Sequence, residues 1–108
     1  QVECVKQAAA LLTQELTVHR TIEQLAQEVG LSATALKTCF KGVYGSSVYA
    51  YQKEYRLQLA QKLLTETDST IAEIAHQIGY ENPNKFSSAF RQSLGMTPTQ
   101  YRKMRPIG

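Results

Sequence analysis

No apolar run in this chain of 108 residues approaches the ~20 residues that a membrane-spanning helix needs. No signal-peptide pattern opens it. Cysteine is scarce: Cys4 and Cys39 are too few for a disulfide framework, and neither has a Cys or His partner at metal-ligand spacing. They read as reduced thiols of a cytosolic protein. His19 and His76 stand alone, far apart and without a nearby nucleophile. Also missing are an acid pair on a shared face, a glycine-rich phosphate loop after a strand, and a nucleophile with a placed base. The expectation is a protein that is not an enzyme, with no catalytic residue, cofactor or metal. Acids themselves are missing from two stretches. After Glu81 there is no Asp or Glu, while Lys85, Arg91, Arg102, Lys103 and Arg105 follow, so this end carries +5 of a net +3. Between Ser32 and Lys53 stand Lys37 and Lys41, again with no acid. Segregated positive charge is a candidate footprint for phosphate.

What the chain does contain is a repeat. Thr21, Ile22, Leu25, Ala26, Val29 and Gly30 return 49 places later as Thr70, Ile71, Ile74, Ala75, Ile78 and Gly79. After a one-residue insertion, Leu36, Phe40, Gly45, Tyr51 and Lys53 return at an offset of 50 as Phe86, Phe90, Gly95, Tyr101 and Lys103. A short chain that carries one helical unit twice presents the same kind of surface twice.

The periodicity predicts an all-α fold of about seven helices. The first spans residues 2–16, with Val5, Ala8, Ala9, Leu12 and Leu16 on one side. Thr21 with Gln24, and Thr70 with Glu73, form capping boxes that start the second and fifth helices. Gly30 and Gly79 end those helices. Ser32 caps the third helix, which runs to about Tyr44. The fourth runs from near Ser47 to about Thr65, close to 30 Å at 1.5 Å per residue. Asn82 caps the sixth, with Pro83 at its first position. Thr97, Pro98 and Gln100 open a short last helix to about Met104, and Pro106 and Gly108 stop it. Connections this short make two helix–turn–helix subdomains, 1–45 and 67–108, joined by a linker helix, 46–66. The chain opens at Gln1 inside a helical pattern, as expected for a piece of a longer protein.

The third and sixth helices carry matching polar stripes. Thr34, Lys37, Thr38 and Lys41 fall at i, i+3, i+4 and i+7, away from Ala33, Leu36 and Phe40. Asn84, Ser87, Ser88 and Arg91 are the same four positions shifted by 50, opposite Phe86, Ala89 and Phe90. Neither stripe holds an acid. A major groove admits an α-helix and exposes base-edge donors and acceptors, which short polar side chains reach. A Lys or Arg a turn or two later meets phosphate. Two such helices joined by a ~30 Å rod suit successive major-groove faces, which recur every ~34 Å along B-DNA. The other readings are a helical protein-interaction module and a DNA-targeting segment of a larger enzyme. An interaction module calls for an apolar outer stripe, and neither stripe is apolar.

With these residues in view, the chain resembles the DNA-binding domain of the AraC/XylS family of bacterial transcription regulators. IAEIAHQIGYENPNKFSSAFRQSLGMTPTQYR at 71–102 follows the family signature. Tyr51, Arg56, Leu57, Ala60, Leu63 and Leu64 match its linker helix. The resemblance implies sequence-specific binding of double-stranded promoter DNA and regulation of transcription, in the cytoplasm and at the nucleoid. The contact residues it implies are Thr34, Lys37, Thr38, Lys41, Asn84, Lys85, Ser87, Ser88 and Arg91. It also implies activation or repression of promoters, often through contact with RNA polymerase, and a separate N-terminal effector or dimerisation domain. Val48 departs from the pattern, since the family usually has Pro there, as Pro98 does in the second copy. Arg56, Tyr51 and Tyr101 are expected to serve packing, and so are Tyr44, Tyr49 and Tyr80.

Overall fold

Seven helices account for most of the residues that the computed structural model describes, 1–105, and no strand occurs among them. They are α1 (Val2–Gln14), α2 (Ile22–Val29), α3 (Ala33–Tyr44), α4 (Val48–Glu66), α5 (Ile71–Gln77), α6 (Pro83–Leu94) and α7 (Pro98–Lys103). The chain divides into two compact units, Gln1–Tyr55 and Arg56–Gly108. The roles expected of Pro106 and Gly108 fall outside the described residues.

Local chemistry sets the helix ends. Thr21 accepts the Gln24 N–H at 3.1 Å, and Gln24 accepts the Thr21 N–H at 2.9 Å. Thr70 and Glu73 repeat this at 3.0 and 2.8 Å. The Thr70 backbone N–H, and then its side chain, hold the Glu73 carboxyl below the usual carboxylate range. That bond is therefore present at neutral pH and is lost as pH falls through the lowered value. The turns after α2 and α5 also match. Gly30 and Gly79 take φ of 78° and 97°, and the next residue donates back five places. Leu31 N–H reaches the Ala26 carbonyl at 2.9 Å, and Tyr80 N–H reaches that of Ala75 at 2.8 Å. This is the six-to-one bond of a Schellman stop, which favours a residue without Cβ.

Each unit packs its own core. In the first, Val5, Ala8, Leu12, Leu25, Ala26, Val29, Leu36 and Phe40 are buried. In the second, Ile74, Ala75, Ile78, Phe86 and Phe90 take the repeated places, joined by Leu57, Ala60 and Leu64 of α4. Fully burying one large apolar side chain contributes about 1.5–3 kcal/mol. Tyr51 meets Phe40 edge-on at 5.3 Å, and Tyr101 meets Phe90 the same way at 5.5 Å. Tyr44 packs on the first core and Tyr80 on the second. Arg56 lies over the Tyr80 ring at 5.7 Å, in keeping with a packing role.

Three expectations need correction. First, α1 ends at Gln14, although Leu16 beyond it is still buried. Just beyond that ending, Arg20 is 10% exposed and forms ion pairs with Glu15 and Glu28. Those carboxylates, Glu28 foremost, raise its pKa. Glu15, the residue after the helix, has left helical geometry (φ −120°, ψ 62°). Second, Tyr49 does not pack; it is 74% exposed at the start of α4. Third, the cationic end is not all free for phosphate. Arg102 donates to the carbonyls of Leu64 (3.2 Å), Ser69 (2.6 Å) and Thr67 (3.2 Å). Arg105 donates to Thr67 O at 3.0 Å and pairs with Asp68. Both close the C-terminal end of α4, where unpaired carbonyls and the helix dipole favour cations.

The starts of α4 and α7 are compared directly by the repeat. Ser47 and Thr97 each accept an N–H three residues on, at 3.1 and 3.2 Å. Thr97 is extended (φ −74°, ψ 160°), as a residue before Pro must be, and Pro98 follows. Val48 opens α4 instead. Val48→Pro is expected to stabilise the first unit by about 0.4–1 kcal/mol by restricting the unfolded chain. Thermal denaturation reads this as a midpoint higher by a few degrees; a fall would show that the Val48 N–H or side chain matters more.

Candidate nucleic-acid interface

The stripe residues lie where the cores leave them. Leu36 and Phe40 of α3 are fully buried, which turns the opposite side of this helix outward. Thr34, Lys37, Thr38 and Lys41 are all exposed. Phe86 and Phe90 do the same for α6, exposing Asn84, Lys85, Ser88 and Arg91. Ser87 is half-buried and offers less of itself, and Ala33 and Ala89 are half-buried rather than core. The geometry thus brings together the four α3 residues in the first unit and the five α6 residues in the second.

The helix starts have matching chemistry. Ser32 accepts the Ala35 N–H at 3.1 Å, and Asn82 accepts the Asn84 N–H at 2.8 Å. Pro83 at the first position of α6 removes one N–H that would otherwise lack a partner. Lys37, Lys41, Lys85 and Arg91 hold no ion pair among the described residues, unlike Arg20 and Arg105. Their charge is thus available to an outside anion. No three His, Cys, Asp or Glu side chains gather as a metal site needs, among the described residues. No helix there is long and apolar enough to cross a membrane.

The two units differ beside their stripes. Gln52 donates to the Leu12 carbonyl at 3.0 Å, and Arg102, its repeat equivalent, donates to Leu64. In the first unit a cavity of about 300 Å³ is bordered by Leu12, Leu25, Val48, Gln52 and Lys37 among others. Reasoning from charge alone missed Arg102 as a structural residue. The repeat offset that pairs Tyr51 with Tyr101 also pairs Gln52 with Arg102, and could have found it.

Two short helix pairs, each with an exposed acid-free second helix, define the class: a tandem helix–turn–helix domain. Comparison with known proteins agrees, since the pattern of the helix-turn-helix domain family matches residues 25–104. The chain belongs to the AraC-type family of these domains. A Streptomyces lividans protein described as an AraC-like transcription regulator is 37% identical over 83 residues, covering 77% of this chain. This chain spans only 27% of that relative's length. Among solved structures, the C-terminal domain of AraT, a response regulator from Geobacillus stearothermophilus, aligns with a TM-score of 0.90 at 30% identity. It covers 97% of this chain and 88% of that one. The DNA-binding domain of AdpA, a global transcriptional factor solved with a target DNA, aligns with a TM-score of 0.85 at 26% identity. That match covers 92% of this chain and 89% of the other. The relatives are regulators of transcription, not enzymes.

Proposed function

We propose that this domain binds double-stranded DNA in a sequence-specific way and regulates bacterial transcription. In this reading α3 and α6 enter two successive major grooves. One observation carries it: the same register on two repeat-equivalent helices is polar, free of acids and, apart from half-buried Ser87, exposed. Thr34, Asn84, Ser87 and Ser88 are short enough to address base edges near the helix starts, and the Thr38 hydroxyl can meet a base edge or a phosphate. Lys37, Lys41, Lys85 and Arg91 meet phosphate, with Lys37 also within reach of a base. Residues 1–45 and 67–108 act as the two reading subdomains and 46–66 as their linker. An N-terminal effector or dimerisation domain and contact with RNA polymerase belong to the same proposal, as does a cytoplasmic, nucleoid-associated location. The length of the relatives supports the extra domain, since this chain spans 27% of the Streptomyces protein.

The test is a titration against random duplexes, followed by selection of preferred sites and a footprint. Arg91→Ala is expected to weaken binding by similar factors on all sequences, as loss of a phosphate contact does. Lys37→Ala is expected to weaken binding and also relax preference at one base position by ~1–3 kcal/mol. Parent-like binding by both variants would remove the stripes from the contact surface. A protected region shorter than about one and a half turns would reject the two-groove arrangement.

A further inference from the structure

The outer face of α3 carries a glycine that the fold does not require. Gly42 lies inside α3, which continues to Tyr44, and the left-handed cap after it is Gly45 at φ 75°. Gly42 itself has no positive φ. A Cβ built there meets nothing within 4 Å, so packing does not exclude a side chain. The second unit has Gln92, exposed, at the repeat-equivalent place. A helix-interior glycine lowers the folding equilibrium about two- to fivefold relative to Ala. Neither the backbone, the core nor the helix–turn–helix pattern accounts for that cost.

The surroundings of Gly42 give a reason that faces outward. Gly42, Lys37, Thr38 and Lys41 line an open depression of about 420 Å³. Its lining residues include two lysines and one threonine and no acid. Gly42 follows Thr34 and Thr38 at i+8 and i+4, so it extends the stripe by one turn. We propose that this depression seats a phosphate of the nucleic-acid backbone, and that Gly42 lets the phosphate lie against the helix. Lys37 and Lys41 donate charge-assisted hydrogen bonds to its oxygens and Thr38 adds a third donor. A side chain at 42 fills the floor and lifts the phosphate away from all three. The assignment rests on the DNA-binding reading and adds a positioning residue to it.

The experiment compares the parent, Gly42→Ala, Gly42→Gln and Gln92→Ala in thermal denaturation and in titration of a labelled duplex. Gly42→Ala is expected to raise the melting midpoint by a few degrees, as a Gly→Ala change in a helix does, and yet weaken DNA binding severalfold. Gly42→Gln, which copies the second unit, is expected to weaken binding about tenfold, by equal factors on preferred and random duplexes. Gln92→Ala should change affinity less than twofold. If the parent binds and both Gly42 variants bind equally well, the phosphate seat is overturned while the DNA reading stands. If the parent binds no duplex at low salt, the DNA reading falls and takes the seat with it.

Discussion

Phe90→Ala is expected to lower stability by about 3–5 kcal/mol, which is most of what a small domain possesses. Phe90 is fully buried. Its ring meets Phe86 at 5.8 Å and Tyr101 at 5.5 Å, both near edge-on. Removing it deletes apolar surface at the centre of the second core, and the two neighbouring rings, Phe86 and Tyr101, cannot both collapse into the space. Urea denaturation checks this as a drop in midpoint. Gln92→Ala, two residues on and exposed, should stay within about 0.5 kcal/mol. A Phe90→Ala loss below ~1 kcal/mol would show that the ring does not sit at the centre of the second core. Phe40→Ala should behave alike in the first unit, where Phe40 meets Tyr44 and Tyr51 at 4.8 and 5.3 Å.

That equivalence explains how far the sequence could be read. Burial repeats because spacing repeats: Leu25, Ala26, Val29, Leu36 and Phe40 occupy in one unit what Ile74, Ala75, Ile78, Phe86 and Phe90 occupy in the other. Caps were legible for the same reason, since Thr21, Ser32, Thr70, Asn82 and Thr97 bond backbone within three residues. Interactions spanning longer separations were not legible. Arg102 and Arg105 were counted as free charge because a charge count does not show the carbonyls at the end of α4 that they bond. Arg20 bridges Glu15 and Glu28, just past the end of α1, which no helical period records. Tyr49 follows the apolar composition of its neighbours and still points outward. The stripes were visible because a helix that buries one side must expose the other at fixed spacing. Gly42 was not, since one glycine in a helix has meaning only beside its neighbours and its counterpart Gln92.

The correction at Arg102 and Arg105 sharpens what salt should reveal. If all five trailing cations served phosphate, removing Arg91 would be a small part of the footprint. With Arg102 and Arg105 bonded to carbonyls of the chain, the exposed Lys37, Lys41 and Arg91 carry a larger share. Each neutralised phosphate releases condensed counterions, so log K falls with log salt at a slope near −0.9 per contact. The Lys37→Ala, Lys41→Ala, Arg91→Ala triple variant is expected to flatten that slope by about 2.7, from three contacts at about 0.9 each. Between 50 and 200 mM salt this alone is a difference of roughly 40-fold in the decline of affinity. Arg102→Ala should act differently: it leaves the slope nearly unchanged and lowers stability, because the Ser69 carbonyl loses its arginine donor and those of Leu64 and Thr67 keep only Arg105. Titrations at four salt concentrations, paired with denaturation of each variant, separate the two classes. A triple variant with the parent's slope would mean that the phosphates lie elsewhere. A slope that flattens on removing Arg102 from a protein that still folds would return that arginine to the DNA surface.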